Sequence, residues 1–97
     1  MLNTANPRLR RLSFRAWRRG FREADLILGP FVDRYAPDMS SAQLDALEAL
    51  MDYPDQDLYE WIVERAALPA EIDSEIMFMI RKFRDEAYVT RDGPHGG

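Results

Sequence analysis

The chain has 97 residues, 46% of them apolar and 31% charged, with a formal net charge of −4 at pH 7. That length suits one domain with one core, and no apolar run approaches the roughly 18 residues that span a bilayer. The absence of cysteine, and the placement of His95, the single histidine, in a Gly-Pro-rich tail, exclude thiol chemistry and argue against a histidine-based catalytic or metal site.

The first predicted helix begins at Arg8, after a lead-in of residues 1–7 that we expect to be flexible. Gly20 is predicted to end it, because glycine readily adopts the left-handed conformation found after helix ends. Its apolar residues fall on two stripes with helical spacing: Leu9, Leu12 and Ala16, then Phe14, Trp17 and Phe21.

Charge is unevenly distributed along the chain. Residues 1–22 carry seven arginines and no acid, whereas the rest carries all 17 acids and six basic residues. Such a basic segment is typical of a nucleic-acid arm, a mitochondrial presequence or one charged surface of a protein-binding site. We disfavour the presequence, because cleavage after this segment would remove Arg19 and Gly20 and leave too few apolar faces.

The second helix is predicted from a repeat of apolar residues that starts at Ala24 and continues through Ile27, Leu28, Phe31 and Tyr35. Glu23 and Asp25 stand at its start, where carboxylates complement the helix dipole. Gly29-Pro30 lies inside the repeat, and we expect a kink there with the helix continuing.

Helices three and four follow in quick succession. Ser40 and Gln43 have capping-box spacing ahead of the third helix, whose buried face is Leu44, Leu47, Leu50 and Met51. Asp55 is the predicted N-cap of the fourth helix. That helix is apolar over a wide arc, which is typical of a central helix; its two stripes are Leu58, Trp61 and Ile62, then Tyr59, Val63 and Ala66.

The fifth helix is predicted after Pro69, with Ile72, Ile76, Met79, Ile80, Phe83 and Ala87 on its buried face. Residues 90–97 are expected to form a flexible tail. Because nothing alternates with a period of two, we predict an all-α fold. It is a compact bundle of about five short helices, forming a single domain over residues 8–88.

Signatures of enzymes are absent from the sequence: it has no Gly-rich phosphate loop, no zinc-protease helix and no nucleophile elbow. The carboxylate pairs Asp55/Asp57 and Asp85/Glu86 are better explained as helix-start acids and solvent-facing residues. Met77, Met79 and Trp61 are better explained as core side chains. We therefore predict a protein that is not an enzyme and has no catalytic residue, metal site or cofactor of its own.

The candidate site is the run R-R-G-F-R-E. Arginine forms planar, bidentate contacts with carboxylates or phosphates, although a solvated basic face is the ordinary alternative. Gly20 could serve the helix end or the approach of another surface, Glu23 could serve the helix dipole, and Trp17 the core or a partner. The predicted partner-binding residues are Arg15, Trp17, Arg18, Arg19, Gly20, Phe21, Arg22 and Glu23.

Two stretches carry a resemblance to a known family. Residues 18–28, R-R-G-F-R-E-A-D-L-I-L, resemble the R-G-x-x-E region of the bacterial SdhE or FAD assembly factors and of the mitochondrial succinate dehydrogenase assembly factor 2 proteins. Residues 55–62, D-Q-D-L-Y-E-W-I, are similar to the family's D-x-D-L-[FY]-x-W segment. The likeness covers about residues 8–88.

The resemblance implies an assembly factor that is not itself an enzyme. Such proteins bind the flavoprotein subunit of succinate dehydrogenase, and in some bacteria of fumarate reductase, and promote covalent attachment of FAD to a histidine there. FAD would belong to the client, and Arg19, Gly20 and Glu23 would dock near its flavin site. We expect a monomer with no nucleic-acid partner and no membrane insertion, located in the bacterial cytoplasm, or in the mitochondrial matrix if eukaryotic.

Two other functions remain open from the sequence. The arginine-rich helix could serve a small nucleic-acid-binding regulator, although the acidic remainder of the chain would repel phosphate. It could also serve an unrelated protein-interaction adaptor with some other acidic partner.

Overall fold

A computed structural model describes residues 5–96, with side chains described for residues 5–87. Its five α-helices are α1 (Pro7–Trp17), α2 (Arg22–Tyr35), α3 (Ser41–Leu50), α4 (Asp55–Ile62) and α5 (Ser74–Gly96), with a 3₁₀ turn at Ala36–Asp38 after α2. The described part of the chain contains no strand. The all-α prediction is therefore confirmed.

Helix α2 lies at the centre of the bundle and packs against α1, α4 and α5. Its residues Leu28, Phe31 and Val32 are completely buried. The sequence had favoured α4 as the central helix. There the first stripe is buried as predicted, including Trp61, whereas Tyr59 and Val63 on the second are half-buried against the core.

Side chains fix the start of three helices. Asn6 accepts from the backbone N–H of Arg8 at 2.9 Å, so α1 begins at Pro7, inside the predicted flexible lead-in. The capping box of Ser40 and Gln43 is confirmed by both of its hydrogen bonds. Asp73 accepts from Ile76 N–H at the start of α5. Residues 1–4 of the lead-in lie outside the described residues.

Helix α2 continues through Pro30, as its apolar repeat predicted. The glycine before that proline has a role that the sequence did not show. A Cβ at Gly29 would lie 2.5 Å from Cε2 of Trp17, well inside contact distance. Gly29 thus allows the indole of α1 to lie directly on the backbone of α2, which brings the two helices close together.

Helix α4 is shorter than predicted, because it ends at Ile62 and leaves Ala66 exposed in the following loop. Two arginines of α5 stabilise that end: both guanidinium groups donate to terminal carbonyls, Arg81 to Trp61 O (2.7 Å) and Arg84 to Ile62 O. Cations at a helix C-terminus complement its dipole.

Helix α5 was expected to stop near Val89, but its backbone continues to Gly96, so helix occupies most of the predicted tail. Side chains beyond Ala87 lie outside those described. As predicted, Met77 is buried and Met79 packs against the core, whereas Asp85 and Glu86 are exposed.

Candidate functional site

The candidate site is the turn that joins α1 to α2. Helix α1 ends at Trp17, three residues before the predicted end, with Arg18 as its C-cap. Gly20 lies in the turn with φ +84°, so the prediction of a left-handed glycine is confirmed, although it does not cap the helix. A Cβ there would meet nothing within 4 Å. Backbone conformation, and not crowding inside the chain, is what requires glycine.

Arg19 points into the protein, with a side chain that is 8% exposed. Its Nη1 donates to the carbonyl of Met51 (2.9 Å) and its Nη2 to the carbonyl of Tyr53 (2.7 Å). Its Nε lies 2.7 Å from Oδ1 of Asp55, close enough for an ion pair but without the alignment of a hydrogen bond. The guanidinium therefore stabilises the end of α3 and the start of α4 from one position.

Asp55 was predicted to be an N-cap, and that prediction is wrong: Pro54 is the N-cap residue and Asp55 the first residue of α4. Its carboxylate pairs with Arg19 instead. An aromatic contact reinforces this pair, with the rings of Phe21 and Tyr59 5.0 Å apart. The two stretches that carry the family resemblance are therefore in direct contact.

Three charged residues of the predicted site face solvent: Arg18, Arg22 and Glu23. The guanidinium of Arg18 lies 4.8 Å from the centroid of the Phe14 ring. Arg22 and Glu23 occupy the first turn of α2, where the backbone N–H groups are still unpaired within the helix. The turn thus presents positive and negative side chains beside an exposed glycine on one corner of the molecule.

Trp17 is half-buried between α1 and α2. Its Nε1 donates to Oδ2 of Asp33 at 2.9 Å, and Ser13 donates to Oδ1 of the same carboxylate at 2.7 Å. Of the two roles left open for Trp17, the geometry favours packing.

Arginines on the side of α1 that faces α3 are paired within the chain. Arg8 donates to Glu48 (2.8 Å) and Asp45 (2.5 Å), and Arg15 pairs with Asp52 (2.7 Å). Hydrogen bonding from Arg8 holds the pKa of the Glu48 carboxyl below its usual value. Arg15, which was predicted to bind a partner, therefore already forms an ion pair with a carboxylate of its own chain.

Other arginines of the same segment, Arg10, Arg11, Arg18 and Arg22, are exposed and pair with no carboxylate among the residues whose side chains are described. They accompany Phe14, which is 52% exposed although the sequence placed it on an apolar stripe. The predicted partner-binding set left out Arg10, Arg11 and Phe14, although a solvated basic face was one interpretation of the arginines. The available signal was their spacing, since residues 11, 14 and 18 share one side of a helix.

Within the described residues, no group of three or more histidine or acidic side chains could hold a metal ion. None of the helices searched there has the length and apolar character of a membrane span.

Comparison with known proteins gives a family match over most of the chain. Residues 10–84 match the family described as flavinator of succinate dehydrogenase. The chain is 35% identical over 86 residues to an FAD assembly factor SdhE of Acetobacter pasteurianus, which covers 89% of this chain and 76% of the relative. The resemblance of the two sequence stretches to this family is thereby confirmed.

Mitochondrial relatives match over a similar length. A succinate dehydrogenase assembly factor 2 of Meyerozyma guilliermondii is 35% identical over 83 residues, which is 81% of this chain and 62% of that protein. A mitochondrial succinate dehydrogenase assembly factor 2-B of Drosophila willistoni is 36% identical over 87 residues, which is 87% of this chain and 56% of that protein. The chain thus spans little more than half the length of these mitochondrial proteins. None of the solved structures matches it.

Proposed function

The chain belongs to the family described as flavinator of succinate dehydrogenase, and on that premise we propose that it binds the flavoprotein subunit of succinate dehydrogenase and promotes covalent FAD attachment there. The observation that carries this proposal is the family match over residues 10–84, which includes both stretches that meet at the turn between α1 and α2. Fumarate reductase is a second candidate client in bacteria.

The geometry supports a division of labour within the turn. Arg19 and Phe21 act as positioning residues, because their side chains are engaged with Asp55 and Tyr59. The residues proposed to contact the client are Arg18, Gly20, Arg22 and Glu23, which are all exposed. The fixed backbone of this corner limits the conformational entropy lost on binding, and the exposed side chains still lose rotamer freedom.

The chemistry of flavin attachment is proposed to belong to the client and its FAD. This chain would bind the subunit and hold it in a reactive arrangement, as a monomer and without a cofactor or catalytic residue of its own. Relatives include a bacterial protein and mitochondrial proteins. We accordingly propose action in the bacterial cytoplasm or the mitochondrial matrix, wherever the client subunit folds.

Deletion of the gene tests the function directly. The flavoprotein subunit should lose most of its covalent flavin, measured as in-gel flavin fluorescence relative to the amount of subunit. A plasmid carrying the wild-type chain should restore it, and one carrying Glu23→Ala should restore much less, with an unchanged circular dichroism spectrum. Full flavinylation in the deletion strain would refute the proposal.

Substitutions at Gly20 separate backbone conformation from docking. Because φ is +84° and the surrounding space is open, Gly20→Ala should cost about 1 kcal/mol of unfolding free energy. It should leave flavinylation largely intact. Gly20→Arg has the same backbone problem but adds bulk at the proposed contact, so it should abolish flavinylation at a similar stability. Equal flavinylation by the two variants would show that Gly20 has a conformational role alone.

Nucleic-acid binding gains no support from the structure, because Arg8, Arg15 and Arg19 are already paired with carboxylates. The four arginines of residues 5–22 that are exposed and form no ion pair would give weak attraction to phosphate on an otherwise acidic chain. A gel shift with duplex DNA and single-stranded RNA at low salt checks this, and we expect no complex.

A further inference from the structure

The outward side of α1 carries a row of side chains that begins outside the turn and ends at Arg18, which belongs to the turn. Arg11, Phe14 and Arg18 stand at positions i, i+3 and i+7, all of them exposed. Phe14 lies between two depressions that Arg15 also lines. One, of about 380 Å³, includes Pro7 and Arg10, and the other, of about 290 Å³, includes Arg18, Arg19 and Asp55. We call Arg11, Phe14 and Arg18 the outer row.

A neighbouring row of the same helix shows which groups two arginines at this spacing can bind. Arg8 and Arg15 are seven residues apart, and they pair with Asp45 and Asp52, which are also seven residues apart on α3 and its C-terminal turn. The order of the pairs means that the two segments run in the same direction. Two turns of helix advance about 10 Å, so the spacing of the arginines matches that of the carboxylates.

The outer row repeats this arrangement with its carboxylate partners missing. Arg11 and Arg18 are again seven residues apart, and neither forms an ion pair with a described carboxylate, although the charge of Arg11 adds to the lowering of the Glu48 pKa. Between the two arginines stands Phe14, an exposed aromatic ring with no counterpart in the paired row, where the third residue after Arg8 is Arg11. Arginine and aromatic residues in this combination are typical of the energetic centre of protein interfaces.

We propose that the outer row binds an acidic helical segment of the client flavoprotein subunit. That segment would carry two carboxylates about seven residues apart, with an apolar side chain between them that enters a depression beside Phe14. The inference rests on the proposed function, and it extends the docking surface from the turn along α1 as far as Arg11. Carboxylate is favoured over phosphate because the paired row of α1 already binds carboxylates at this spacing.

Calorimetric titration with the purified flavoprotein subunit tests the outer row. Arg11→Glu and Phe14→Ala, which both lie outside the turn, should each weaken binding by about 10-fold, and Arg11→Glu combined with Arg18→Glu should weaken it by at least about 30-fold. Matched controls lie on α5, where Phe78 is 66% exposed and Lys82 is exposed. Phe78→Ala and Lys82→Glu should change the affinity by less than about 2-fold.

A second set of titrations identifies the ligand chemistry. Synthetic peptides covering the acidic helices of the subunit should include one that competes with the subunit, and replacing its two carboxylates with lysine should restore binding to the double Glu variant. If FAD or an oligonucleotide competes instead, the row recognises phosphate and the inference is overturned.

Failure of the proposed function can be distinguished from failure of the outer-row inference. A wild-type chain that does not bind the subunit at all would overturn the proposed function and this inference together. A wild-type chain that binds, with Arg11→Glu and Phe14→Ala variants of equal affinity, would overturn this inference and leave the proposed function in place.

Discussion

The paired and unpaired arginines of the first 22 residues show how one residue type serves two roles in one segment. The paired arginines are directed toward α3, the turn after it and α4, and they bind carboxylates there: Arg8, Arg15 and Arg19. The unpaired arginines face solvent: Arg10, Arg11, Arg18 and Arg22. The comparison teaches that a basic segment in an acidic protein is partly a stabilising element and partly a surface. Its sequence does not show which arginines belong to which set.

Arg18 and Arg19 make the comparison at neighbouring positions. Arg19 is largely buried and donates to two backbone carbonyls, whereas Arg18 lies over Phe14 at the surface. Because the two residues are adjacent in sequence, a difference in stability between their variants reflects the direction in which each side chain points and not its location along the chain.

The largest expected effect on stability distinguishes Arg19 from Arg18. Arg19→Ala should lower the free energy of unfolding by about 2–4 kcal/mol, because it leaves the carbonyls of Met51 and Tyr53 without their donor and the carboxylate of Asp55 without its ion-pair partner. Arg18→Ala should change it by less than about 0.5 kcal/mol. Urea unfolding followed by circular dichroism measures both. Equal losses would show that Arg19 is not the positioning residue that the structure indicates.

A smaller effect is expected where α1 is fixed against α2. Gly29→Ala should cost about 1–3 kcal/mol of unfolding free energy, because the new methyl group overlaps the ring of Trp17 and one of the two must move. Displacing the ring would also rotate α1 about its axis, which would change which of its arginines lie near carboxylates. Thermal unfolding gives the stability, and Trp17 fluorescence in a Trp61→Phe background reports the ring.

Combining Gly29→Ala with Trp17→Ala supplies the control. Removing the indole removes the overlap, so the alanine at position 29 should then be nearly neutral and the two effects strongly non-additive. Additive effects would show that Gly29 matters for a reason other than this close approach.

The smallest expected effect concerns pH and the paired row. Arg8 holds the pKa of Glu48 below its unfolded value, so the pair stabilises the fold above the unfolded pKa of about 4.3. That stabilisation is lost as the pH falls through the folded pKa. Wild type should therefore be modestly more stable than Glu48→Gln at pH 7, and the difference should vanish in acid.

Urea midpoints for wild type and Glu48→Gln between pH 7 and pH 3 measure this difference. Glu86→Gln, at an exposed position on α5, serves as the matched control and should show no comparable trend. A Glu48→Gln difference that grows as the pH falls would contradict the ion pair.

Much of the fold could be predicted from periodicity and caps. The repeat through Ile27 and Phe31 predicted α2, and the spacing of Ser40 and Gln43 predicted the start of α3, because these signals are local. Helix ends were predicted less well. Helix α4 stops at Ile62, where Arg81 donates to a carbonyl from a distant part of the chain, and no local pattern encodes such a donor.

The candidate site was predicted in part. The exposed Arg18, Arg22 and Glu23 agree with the expected surface, and their client-binding role stays a prediction. Arg19, the named arginine of the motif, is turned inward, and Phe14 is turned outward. The direction of Phe14 depends on how α1 is rotated about its axis, and that of Arg19 on the path of the turn after α1. Both are set by contacts with distant parts of the chain.

By itself, the sequence determined the helical class, the central apolar repeats, the need for a left-handed glycine at position 20 and the family. These follow from residue type and from spacing within a few turns of helix. The tertiary structure alone decided which arginines are available to a partner and that Asp55 pairs with Arg19 across 36 residues. The physical reason is that a side chain becomes paired or free according to the charges that folding brings beside it, and those charges lie far away in the chain.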